Sequence, residues 1–114
     1  MFEVTEVSIA ELRAALEAGR TTAVELVEAY LARIDAYDGA DTTTQLNAVV
    51  VRNPDALKEA EASDARRARG EPLSPLDGIP YTAKDSYLVK GLTAASGSPA
   101  FKDLVAQRDA FTVE

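Results

Sequence analysis

The chain has 114 residues, 46% of them hydrophobic, which suits one modest globular domain and excludes a disordered segment. Its 19 acidic and 12 basic residues give a net charge of -7, which opposes attraction to phosphate backbones and anionic lipid, so neither nucleic acid nor a membrane surface is expected as a partner. With no Cys and no His there is no disulfide frame, thiolate nucleophile, usual zinc ligand set or Ser-His-Asp triad, and a catalytic base must be a carboxylate, a tyrosine or a lysine.

Met1 to Ala10 carries Glu3 and Glu6 where a signal peptide would be positive, and no apolar run approaches the roughly 20 residues of a membrane span. A cytoplasmic location is expected. Ser8-Ile9-Ala10-Glu11 has the form of a capping box, with Val7 and Leu12 as its hydrophobic staple. It predicts a helix over about 9 to 18 that buries Ile9, Leu12 and Leu16 and ends at Gly19, a left-handed cap. Thr22-Ala23-Val24-Glu25 is a second box. It opens a helix to about Tyr37 with Val27, Tyr30, Leu31, Ile34 and Tyr37 on one stripe. Residues 38 to 44 mix turn formers with threonines and read as a loop, and Leu46 to Val51 reads as a short buried strand. Asn53-Pro54 then supplies a cap and a first-turn proline for a helix to about Arg69. Its acids Asp55, Glu59 and Glu61 and its bases Arg66, Arg67 and Arg69 each oppose the helix dipole at their own end. The apolar side of that helix is thin: Leu57, Ala60, Ala65 and Ala68. Pro72 and Pro75 make the following stretch a rigid elbow.

The elbow leads to Leu76-Asp77-Gly78-Ile79-Pro80-Tyr81-Thr82-Ala83-Lys84-Asp85. Asp77-Gly78 is a turn dipeptide, and a second short strand is predicted over 79 to 85, with Ile79, Tyr81 and Ala83 on one face and Pro80, Thr82 and Lys84 on the other. A lysine at a strand end is ordinarily a solvated terminus. The small residues of Gly91 to Pro99 leave room for a site to be lined beside it, although Ser96-Gly97 also reads as a plain turn and Ser98-Pro99 as the cap of a short helix over 99 to 104. Asp109 onward reads as a cap and first helical turn with no remainder, as in the first part of a protein several times longer.

Pro75 to Asp85, then Lys90-Gly91-Leu92-Thr93, Ala95-Ser96-Gly97-Ser98 and Arg108-Asp109-Ala110-Phe111-Thr112-Val113, together resemble the N-terminal part of the amidase signature family. The two capped helices, the apolar run from Leu46 and the Ala/Glu/Arg-rich helix follow the same order. The resemblance implies an α/β fold, a mixed central sheet covered by helices, of which this chain would give about four helices and two short strands. Residues 1–70 would be mainly helical and 71–114 the lysine-motif strand and small-residue loop of an incomplete domain. It further implies a Ser-Ser-Lys amidohydrolase that cleaves a carboxylic amide C–N bond through an acyl-enzyme, with Lys84 as the base. The residues agree with this, since a base lysine must be sheltered enough to be neutral part of the time. The family's bridging and nucleophilic serines lie in a downstream Gly/Ser-rich stretch that this sequence does not contain, so neither role is carried onto Ser96 or Ser98. The expected partners are a small-molecule amide substrate and either the missing C-terminal part or a homodimer partner, and no cofactor or metal is expected. The alternatives are an amidase-type subunit of a tRNA-dependent amidotransferase, or a non-catalytic remnant acting as a binding scaffold.

Overall fold

The structure is a computed structural model and describes residues 2–114. Its regular elements among these residues are α1 (Ile9–Glu17), α2 (Ala23–Tyr37), α3 (Ala56–Ala68) and a single 3-10 turn, Pro99–Phe101. The chain divides into two compact units. The first runs up to Asn47 and takes in Pro54–Pro80; the second takes in Ala48–Asn53 and Tyr81–Glu114.

Both capping boxes form in the first unit. The Ser8 amide donates to Glu11 at 2.8 Å while Ser8 Oγ accepts from the Glu11 amide. Thr22 and Glu25 make the same reciprocal pair at 3.1 Å each way. Gly19 ends α1 at φ +64, as the sequence predicts, and the turn returns amides from Gly19 to Leu16 and from Arg20 to Ala15. A further cap comes from a distance. Asp64, on α3, accepts the amides of Ala23 at 2.7 Å and Val24 at 3.1 Å, so its carboxylate sits against the positive end of α2 and welds α3 to it. Charge-assisted bonds of this kind at a helix start contribute about 1–2 kcal/mol.

The core of this unit joins Val4, Leu12, Leu16 and Leu26, with Phe2, Val7, Ala29, Tyr30 and Ile79 packed around them. Val7 is thus placed as the staple requires, but two predicted burials fail. Ile9 is 59% exposed, because it precedes the turn whose next residues, Leu12 and Leu16, already meet the core. On α2 the buried residues are Ala23 and Leu26, and the predicted stripe from Val27 to Ile34 is only half-buried, with Tyr37 exposed. α2 has apolar residues on more than one face, and the face that packs is set by α3 and by the segment before α1. On α3 the buried side chains are Ala60 and Ser63, while Leu57 is exposed. Pro54 and Asp55 form a turn ahead of this helix, which starts later than Asn53-Pro54 predicts.

Neither predicted strand is present, and there are no strands among the described residues. A strand exists through its ladder with a neighbour. At 46 to 51 the chain instead turns back on α2, with the amides of Leu46 and Asn47 donating to the carbonyls of Tyr37 and Asp38. Asn47 has φ +49, which breaks an extended run, and Leu46 and Val50 are exposed. Residues 79 to 84 have no ladder; Ile79 packs on the core of its unit, whereas Tyr81, predicted to share its face, is 70% exposed. The nearest approach to a sheet is in the second unit, where a single antiparallel bridge joins Thr93 and Val105. Around it Gly91 donates to Ala106, Ala106 to Leu92 and Ala94 to Leu104, at 2.9–3.0 Å, burying Ala94 and Ala106. The helix predicted over 99 to 104 shrinks to the one 3-10 turn. Asp109 does not cap a helix; its carboxylate accepts the Lys90 amide at 2.7 Å. No helix among the described residues is long and apolar enough to cross a membrane.

Candidate active site

The lysine motif begins in the first unit, on a turn held by α3. Two successive turns close there, from the Asp77 amide to Ser74 and from the Ile79 amide to Leu76. Asp77 is the anchor. Its carboxylate receives a two-pronged bond from Arg66, Nε at 2.9 Å and Nη2 at 2.8 Å, together with the Ser63 hydroxyl at 2.7 Å and the Leu73 amide at 2.9 Å. Arg67 donates to the Asp77 carbonyl. The carboxylate is thus satisfied on both oxygens although its side chain is only 6% exposed. A paired guanidinium in this fork geometry is among the stronger polar contacts a protein makes.

The Arg66 guanidinium holds the Asp77 carboxyl well below the usual carboxylate range, aided by the Leu73 amide and the Ser63 hydroxyl and opposed by partial burial. Folded Asp77 therefore takes up its proton at lower pH than unfolded Asp77. The stabilisation is complete above the ordinary aspartate value of about 3.9 and drains away as the pH falls below it toward the folded value. Asp77→Asn should lower stability at pH 7 by about 2 kcal/mol. It should also flatten the fall in stability between about pH 4 and pH 2. Urea unfolding at a series of pH values checks both, and a variant with the wild-type acid profile would refute the assignment.

Gly78 follows at φ +93, in a closely packed place. A Cβ there would lie 3.0 Å from Ser63 Oγ, 3.3 Å from the Ala23 Cβ and 3.5 Å from Leu16 Cδ1. The backbone lies directly against α1, α2 and α3, and only a residue without a side chain permits that approach.

In the second unit Lys84 opens a turn closed by the Tyr87 amide on the Lys84 carbonyl at 2.8 Å. The Lys84 side chain is exposed. Asp85, half-buried, accepts the Ala95 amide at 3.3 Å. Ala95 opens the next turn, Ala95 to Ser98, closed at 2.8 Å, with Ser96 at φ +51. One hydrogen bond thus joins the lysine turn to the small-residue turn. Ser96 is exposed and Ser98 half-buried, and the Ser98 side chain caps no helix.

The sequence reading of Arg66 and Arg67 as dipole complements passed over their main partner. A signal is present: Ser63, Arg66 and Arg67 are spaced i, i+3, i+4, which puts three donors on one face of α3, and Asp77 follows across a short elbow. Asp64, whose partners Ala23 and Val24 lie 41 and 40 residues back, is marked by no local signal.

The sequence matches the Amidase family over residues 25–114. It is 44% identical over 110 residues to a glutamyl-tRNA(Gln) amidotransferase subunit from Thioalkalivibrio sulfidiphilus, covering 96% of this chain and 22% of that protein. It is 40% identical to the same-named subunit of Thermobifida fusca, again over 22% of the relative's length. Among solved structures, the native peptide amidase of Stenotrophomonas maltophilia superposes with a TM-score of 0.88 at 38% identity, covering 96% of this chain and 22% of that one. The chain therefore spans about a fifth of the length of each of these relatives. By these matches the chain belongs to the amidase signature family and corresponds to the N-terminal segment of its members.

Proposed function

We propose that the chain is the lysine-bearing segment of an amidohydrolase that cleaves a carboxylic amide C–N bond by a Ser-Ser-Lys mechanism. Lys84 takes the proton of a bridging serine, which takes that of the nucleophilic serine. The serine oxygen bonds to the amide carbon, the C–N bond breaks, and the relayed proton leaves with the amine. Water then cleaves the resulting ester. Both serines lie outside these 114 residues, so this chain alone has no turnover. The observation that carries the reading is the family match over residues 25–114, a span that includes Lys84 and Asp85. Lys84 is exposed in these 114 residues, and in the complete protein the parts beyond them cover it. The enzyme works in the cytoplasm on a small-molecule amide and needs no cofactor.

A second reading, an amidase-type subunit of a tRNA-dependent amidotransferase, is favoured by the names of the curated relatives. Ammonia release by the full-length protein separates the two. Hydrolysis of benzamide or a C-terminal peptide amide by the protein alone supports the first. Release from L-glutamine only with partner subunits and glutamyl-tRNA supports the second, and no release from any of these amides overturns both.

A further inference from the structure

We infer that Asp85 is a positioning residue of the Lys84 site: through its bond to the Ala95 amide it fixes the Ala95–Ser98 turn beside the lysine. The inference rests on the reading of Lys84 as base and assigns the adjacent carboxylate a separate task.

Lys84 and Asp85 occupy the first two positions of one closed turn, and Ala95 and Ser96 the first two of another. The Asp85 Oδ1 to Ala95 amide bond, 3.3 Å, is the stitch between them. The second turn needs one. Ser96 sits at φ +51, a conformation that a non-glycine residue adopts only when its surroundings hold it there. Two neighbouring bonds hold it: Ala94, buried, donates to the Leu104 carbonyl at 3.0 Å, and Ala95 donates to Asp85. The first ties the loop to the rest of its unit, and the second ties it to the lysine turn. Without the carboxylate the Ala95 amide loses its acceptor and the left-handed turn relaxes away from Lys84. Misplacement by about 1 Å at a site of this kind reduces the rate up to about 100-fold.

The test compares two substitutions in the full-length protein. Asp85→Ala removes both the charge and the acceptor; Asp85→Asn removes the charge and keeps an oxygen in the same place. The readout is the rate constant of labelling by a fluorophosphonate, counted per labelled site so that loss of folded protein does not enter. Wherever an amide is turned over, kcat and KM are also measured. Asp85→Ala is expected to lower the rate constant and kcat by about 10- to 100-fold with KM within a few-fold, and Asp85→Asn to recover most of the loss. Equal losses in the two variants, or a wild-type rate in Asp85→Ala, overturn the inference. Should Asp85→Ala not fold, Asp85→Glu, which keeps the charge but displaces the acceptor, is expected to show the same fall, and a wild-type rate in it overturns the inference equally. Lys84→Ala is run alongside. If it labels at the wild-type rate, the base assignment and this inference fall together; a silent Asp85→Ala beside an inactive Lys84→Ala removes only the inference.

Discussion

Lys84→Ala in the full-length protein should slow acylation by about 100- to 10,000-fold, the range that a positioned general base contributes. The nucleophilic serine is a weak nucleophile while it keeps its proton, and on the proposed reading Lys84 takes that proton through the bridging serine. Because the interaction is made only as the proton moves, kcat and kcat/KM should fall together while KM stays within a few-fold. The fold should not change. The local turn is closed through the Lys84 carbonyl and not its ammonium group, so loss of the side chain leaves that closure in place. Melting temperature and far-UV circular dichroism should therefore match those of the wild type, and near-normal turnover would remove Lys84 from the mechanism.

Gly78→Val should strongly destabilise the first unit. Two separate effects act at once. A left-handed φ of +93 strains any residue with a Cβ, at about 1–3 kcal/mol. The added carbons must also push between Ser63, Ala23 and Leu16, and overpacking of this sort costs about 1–3 kcal/mol. Neither close neighbour can give way cheaply. Ser63 Oγ is committed to Asp77, and the Ala23 Cβ is fixed to the first turn of α2, where Asp64 holds the backbone. The sum is about 2–6 kcal/mol, which in a unit of this size lowers the melting temperature by about 10 °C or more. Gly70→Ala provides the comparison. Gly70 has φ +72, but a Cβ there meets nothing within 4 Å, so only the strain remains. Its loss should be about 1 kcal/mol. If the two variants prove equally stable, the close packing at Gly78 is not what the residue is for.

The parts of this fold that were legible in the sequence are those whose causes are local. Ser8 with Glu11, and Thr22 with Glu25, satisfy each other's backbone within three residues, so the starts of α1 and α2 can be read directly. Gly19 is legible for the same reason. What was misread depends on partners distant in sequence. α2 carries Leu26 and Val27 side by side, and periodicity says that a face is buried without saying which; Ala23, Leu26 and Ala60 decide it by packing. The valines of 48 to 51 have strand propensity, but propensity makes no ladder without a neighbouring strand. Asp77-Gly78 has the composition of a plain turn, and nothing within a few residues reveals that Arg66 and Ser63 converge on it. The family was legible from the punctuation of the 75–85 stretch and its order among the other motifs. The Asp85 to Ala95 bond, which spans ten residues, was not.

The assignment of this segment as the lysine donor, and not the nucleophile donor, is tested most directly by locating the covalent adduct. Full-length protein is labelled with a serine-directed fluorophosphonate and digested, and the modified peptide is identified by mass spectrometry. One modified serine is expected, located outside residues 1–114, whose labelling is abolished or slowed by Lys84→Ala. An adduct on Ser96 or Ser98, or labelling that does not depend on Lys84, would contradict it.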